Sequence, residues 1–205
     1  MVDKYSLGSH RSRVKKPRRS LKIPIIAAII IVVIAAAAIG FYYYELQLQK
    51  ASEASNSRVG TDIGDHLPNF SFTLLDGTNT TLSNYYNSAN HTILLWLVAT
   101  WSSYTTTGLS SLNSTYYSQL NAKGVIILVV ELYNDMGKSG PTLSQLADQY
   151  GGTGKSNWFF GTENSNVSAI NPRYDIAVFY LLSPNGIIIT PGYGSPPFDY
   201  MLTKV

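Results

Sequence analysis

The stretch "ATWSSYTTTGLSSL", residues 99–112, continues the apolar run "TILLWLVA", residues 92–99. The run predicts a buried strand. Beyond Trp101, the residues Leu109, Leu112, Tyr116 and Leu120 recur at spacings of three and four, which predicts a helix with one apolar stripe. That helix is weak by intrinsic propensity, because Ser and Thr fill the rest of it. Ser102 or Ser103 stands where an N-cap belongs, ready to accept a hydrogen bond from a backbone N–H that the first helical turn leaves unpaired.

Working outward, "NFSFTLL" at 69–75 alternates apolar and polar residues. Asp76-Gly77 then supplies a turn and "TNTTLS" returns, so a β-hairpin is expected. "GVIILVVEL" at 124–132 is almost continuously apolar, as a strand covered on both faces should be. A helix is expected over about 142–150, then a loop through "GGTGKSN". The pair "AVFYLLS" and "GIIIT" is joined by Pro184-Asn185-Gly186, a second hairpin turn. Strand, helix, strand, helix and hairpin together predict a three-layer α/β sandwich with an N-terminal β-hairpin extension.

These residues carry a resemblance. "GDHLPNFSFTLLDGTNTTLSNYY" followed by "TILLWLVATWSS" resembles the opening of the membrane-anchored thioredoxin-like reductases and the peroxiredoxins, and "YLLSPNGIII" resembles their late hairpin. The resemblance spans about residues 64–194 and implies a thioredoxin-like fold. In that family the corner after Ala-Thr-Trp carries a Cys-x-x-Cys pair; here Ser102 and Thr105 stand in those places. The family's cis-proline facing the pair is matched by Ala177, in "YDIAVFYLL". A thiolate at a helix N-terminus is a good nucleophile and leaving group, because the aligned peptide dipoles lower its pKa. A hydroxyl does not ionise there and carries no two-electron couple. The resemblance therefore implies the scaffold without its redox chemistry, and Ser102, Thr105 and Ala177 are expected to be degenerate redox positions.

Composition agrees. The chain has 205 residues and no cysteine, which removes disulfides, thiolate nucleophiles and zinc–cysteine sites together. Its net charge of +3 is divided very unequally. Residues 1–22 hold eight Lys/Arg against Asp3, whereas the part after residue 44 holds seven Lys/Arg and eleven Asp/Glu. Between them, "IPIIAAIIIVVIAAAAIGFYYY" at 23–44 contains no charge. As a helix it would span roughly 33 Å, enough for a bilayer core. This predicts a basic cytoplasmic tail at 1–22, a single-pass transmembrane helix at 23–44 with Tyr42, Tyr43 and Tyr44 at the outer interface, a linker at 45–63 and an extracytoplasmic domain at 64–205. A cleaved signal peptide is the rival reading of the same run, since "AAAAIG" offers small residues to a peptidase. The bilayer then accounts for the basic tail, and no nucleic-acid partner is expected.

Other chemistries fit the residues poorly. Of the three histidines, His66 and His91 lie in the expected exterior domain, each just before an apolar run, and neither has the spacing of a general base. Asp62, Asp65 and His66 form a short cluster, but the related copper-delivery proteins bind through cysteines that are absent here, so no metal and no cofactor are expected. "GGTGK" at 151–155 follows a helix and lacks the full phosphate-loop spacing. Five N-glycosylation sequons, at Asn69, Asn79, Asn90, Asn113 and Asn166, all fall in the expected exterior part. Low charge there also permits an acidic exterior. The function expected is a redox-inactive accessory, structural or assembly subunit of a membrane protein complex, with "AAAAIG" able to pack against neighbouring helices. The alternative is a substrate-holding, enzyme-like partner in a thiol–disulfide or copper-delivery pathway.

Overall fold

The computed structural model describes residues 35–37, 39–44, 58–86, 90–165 and 168–205. The chain divides into two units, Met1–Lys50 and Ala51–Val205. In the first, residues 35–37 and 39–44 are helical, and Ile39, Phe41 and Tyr42 to Tyr44 are exposed. Among the described residues no helix is long and apolar enough to cross a membrane. Most of the expected span at 23–44, the basic tail at 1–22, the greater part of the linker and Asn166 lie outside the described residues.

The second unit is built on seven strands: β1 (Ser71–Leu74), β2 (Asn79–Thr81), β3 (Ile93–Val98), β4 (Ile126–Glu131), β5 (Trp158–Glu163), β6 (Ala177–Leu182) and β7 (Ile188–Tyr193). They form one mixed sheet in the order β2-β1-β5-β4-β3-β6-β7. β3, β4 and β5 run parallel, while β1, β2, β6 and β7 join by antiparallel pairing. Both expected hairpins form, at Asp76-Gly77 and at Pro184-Asn185-Gly186. Gly77 and Gly186 take the positive φ of 84° and 80° that these turns require. β5 was not expected from the sequence. It inserts between β1 and β4, so the N-terminal hairpin extends the sheet through β5.

Helices α1 (Ser103–Ser111), α2 (Tyr117–Ala122), α3 (Leu143–Gln149) and α4 (Phe198–Leu202) complete the unit. The single helix expected beyond Trp101 is interrupted by a π turn, Leu112–Tyr116, whose extra residue rephases the stripe so that Leu109, Leu112 and Leu120 all reach the core. α3 starts at a capping box, with Thr142 and Gln145 each accepting the other's backbone N–H.

Alternation along the central strands divides the core. Leu94, Trp96, Val98, Ile127, Val129, Phe179 and Leu181 face one side, where Leu109, Leu112, Leu120, Leu143, Leu146 and Met201 from the helices cover them. Ile93, Leu95, Leu97, Ile126, Leu128, Val130, Val178 and Tyr180 face the other, covered by Leu67, Phe70, Leu82, Leu132 and Ile170. The expected three-layer sandwich is thus corrected. β3 to β4 and β4 to β5 step the same way across the sheet, and right-handed crossovers therefore put α1, α2 and α3 on the same face. Among the described residues the opposite layer contains loop and 3-10 turn in place of helix.

Candidate functional site

The C-terminal ends of the parallel strands β3 and β4 deliver Ala99 and Leu132 to one edge of the sheet, and the chain turns there into α1. Ser102 is the N-cap: its Oγ accepts the Tyr104 N–H at 3.2 Å, and its carbonyl accepts the Thr106 N–H. Of the two expected caps, Ser102 takes the role and Ser103 is the first helical residue. Thr105 lies one turn on, fully buried, and its hydroxyl donates to the Ala99 carbonyl at 2.8 Å. Ser102 is itself 2% exposed. Ala177 begins β6 opposite Val98, and the preceding residue's carbonyl accepts the Ala99 N–H at 2.9 Å. The structure therefore gathers Ser102, Thr105 and Ala177 around Ala99. Both hydroxyls there are engaged by backbone.

A second device, absent from the sequence reading, closes over this corner. After β4 the chain makes one turn of left-handed helix: Asn134 (φ 51°), Asp135 (φ 47°) and Met136 (φ 57°), followed by Gly137 (φ 77°). Each non-glycine residue held there costs about 1–2 kcal/mol, so the surrounding contacts must offset the strain. Asp135 supplies them. Its carboxylate accepts the Thr100 N–H and the Thr100 hydroxyl, both at 2.6 Å, while its carbonyl accepts the Trp101 indole N–H at 2.9 Å. Lys138 then lies 4.2 Å from the centre of the Trp101 ring. Gly140 brings the returning chain so close that a Cβ there would overlap the Thr100 hydroxyl and the Trp101 backbone nitrogen. The sequence signal was "YNDMGKSG": Asn and Asp tolerate the left-handed region, and a Gly follows.

Two carboxyl groups stand behind the turn. Glu131 ends β4 and accepts the Thr162 hydroxyl at 3.0 Å; burial pushes its carboxyl above the ordinary range. Glu163 ends β5 on the opposite face, in register with Phe72, and one oxygen accepts the Tyr133 N–H at 2.9 Å. Its other oxygen is buried without a partner, and burial pushes its carboxyl up to about 7.

The remaining candidates lie away from this corner in sequence. Arg58 bonds Asp62 and Asp65, at 2.8 and 3.0 Å, so these two carboxylates are occupied by a guanidinium and Asp65 is held below the usual carboxylate range. Nearby, His66 packs edge-on against Tyr86. His91 sits beneath Gly124, where a Cβ would overlap its ring. In the 151–155 loop, Lys155 lies over the Tyr117 and Trp158 rings and bonds the Asn113 side-chain carbonyl. Asn69, Asn79, Asn90 and Asn113 are all exposed, with Asn69 accepting the Ser83 N–H and Asn79 the Thr73 hydroxyl.

No protein-family model and no curated protein matches the chain. Solved structures do. The thioredoxin domain of a thiol-disulfide oxidoreductase from Bacteroides vulgatus aligns with a TM-score of 0.55 at 14% identity, covering 71% of this chain and 98% of that one. A thiol:disulfide interchange protein from a Bacteroides species aligns with a TM-score of 0.52 at 14% identity, covering 72% and 90%. The chain has a thioredoxin-like α/β fold with a seven-stranded mixed sheet. At such identities the likeness concerns fold alone.

Proposed function

We propose that the protein is a redox-inactive, membrane-anchored, extracytoplasmic thioredoxin-fold module that serves as an accessory or assembly subunit of a membrane protein complex. The observation that carries this reading is the corner itself. Where a thioredoxin-like reductase needs two sulfurs, Ser102 and Thr105 spend their hydroxyls on the Tyr104 N–H and the Ala99 carbonyl. Among the described residues both hydroxyls bond backbone and no side-chain base, and no cysteine exists elsewhere in the chain to substitute. The uncharged run at 23–44 and the basic residues before it support the anchor and the outward orientation of the domain.

The experiment is gentle extraction of the full chain from its own membrane, followed by sizing and identification of whatever travels with it. Stoichiometric companions that remain bound through a second column are the expected result. A lone monomer at native abundance would contradict the accessory role. Labelling of the domain by an impermeant reagent added to intact cells tests the orientation separately.

A further inference from the structure

We propose that Glu163 is a proton-operated latch on the left-handed turn at 134–137: protonated, it holds the turn closed over the Ser102 corner, and ionised, it releases it. The geometry places a carboxyl that is 5% exposed directly behind Tyr133, the residue that leads into the turn, and the Tyr133 N–H donates to it. Its second oxygen has no partner. A neutral carboxyl keeps the Tyr133 bond with its carbonyl oxygen and leaves only a hydroxyl to be accommodated. An anion in the same place carries charge on a buried oxygen that nothing donates to, on the strand position in register with Phe72. Solvation of that charge requires the chain at 133 to move.

The turn is a suitable moving part. Its three strained non-glycine residues are retained by the Asp135 bonds to Thr100 and Trp101, so displacement of Tyr133 loosens a segment that already sits above its relaxed backbone energy. Few groups compete for control of Glu163. From β1 the facing residue is Phe72, which does not titrate. From β4 the one ionisable side chain is Glu131, turned to the other face of the sheet and bonded to Thr162. The turn itself contributes Tyr133 and Asp135, the latter committed to Thr100. Beyond Phe72, Tyr85 stacks on that ring. Burial is the leading cause of the upward displacement to about 7, and the Tyr133 N–H only partly opposes it. Closure therefore belongs to mildly acidic conditions and opening to pH values above neutrality. The inference is independent of the accessory role, and either can fail without the other.

The test is amide hydrogen exchange on the full-length protein at pH 5 and pH 8. With intrinsic rates divided out, protection at Thr100 and Tyr133 should fall by about ten- to a hundredfold in the wild type. It should stay unchanged in Glu163→Gln and still fall in Glu131→Gln. Constant protection in the wild type, or a fall that survives in Glu163→Gln, would overturn the proposal. Should Glu163→Gln not fold, the carboxyl carbon resonance of Glu163 in the wild type decides. A midpoint near 7 that coincides with the loss of Thr100 protection supports the latch, and a midpoint below 5 refutes it.

Discussion

At the scale of single residues, the hydroxyls of Ser102 and Thr105 are fastened to backbone at the start of α1. Ser102 satisfies a helix-start N–H that would otherwise lack a partner, and Ser102→Ala should lower stability to urea by about 1 kcal/mol. Asp135 holds more. Its two oxygens satisfy a buried amide and a buried hydroxyl of Thr100. Asp135→Ala should cost about 2–3 kcal/mol, and Asp135→Asn less, because an amide oxygen still accepts one of the two bonds. Urea midpoints of the two variants check this, and equal losses for Ala and Asn would show that the acceptor oxygens are not what matters. Of this residue-scale picture, the cap was legible in the sequence because Ser102 and Ser103 follow directly on an apolar strand. The clamp was not, because Asp135 acts on a residue 35 positions away, through a backbone turn that local propensity does not specify.

At the scale of elements, α1 owes its seat on the sheet to a glycine. Gly108 faces Trp96, and a Cβ there would overlap the indole ring. The same indole donates its N–H to the Gly194 carbonyl at 3.2 Å, while Ser195 donates its hydroxyl to the Tyr104 carbonyl at 2.7 Å, tying the chain after β7 to the start of α1. Gly108→Ala should therefore destabilise by about 1–3 kcal/mol, although alanine raises helix propensity. Thermal unfolding of the variant measures which effect dominates, and stabilisation would mean that α1 does not approach the sheet so closely. Elements with two agreeing signals were readable: both hairpins carry alternation plus a glycine turn, and β4 is an unbroken apolar run. β5 has a comparable signal in "WFFGTE", but it lies between two polar, glycine- and asparagine-rich stretches and was absorbed into them. That the helices share one face was not legible for a related reason. Which face a crossover covers depends on the order of strands in the sheet, and that order changes once β5 is inserted.

For the molecule as a whole, Glu163 and Asp65 pull stability in opposite directions with pH. Glu163 has a folded-state pKa above its ordinary value, so the native state keeps a proton that the unfolded chain has lost. Stability then falls as pH rises from the ordinary carboxyl range toward 7. Asp65, lowered first by its hydrogen bond to Arg58, stabilises above the ordinary carboxyl range and ceases to do so as pH falls through its depressed value. Its partner is largely exposed, so the Asp65 contribution is small. The domain should be more resistant to urea at pH 5 than at pH 8, and Glu163→Gln should remove most of the difference; a higher midpoint at pH 8 in the wild type would reverse this assignment. Such behaviour suits a protein whose described exterior carries few charges.

The central claim of the proposed function is that Ser102 and Thr105 leave this thioredoxin-like body without redox chemistry at the start of α1. Dithiothreitol-driven insulin reduction, followed by turbidity, tests it with the full-length wild type beside the double variant Ser102→Cys, Thr105→Cys. The wild type should match the uncatalysed rate and the double variant should exceed it, because α1 would then present a thiolate at its N-terminus. Catalysis by the wild type, or none by the double variant once it is shown to fold, would contradict the account.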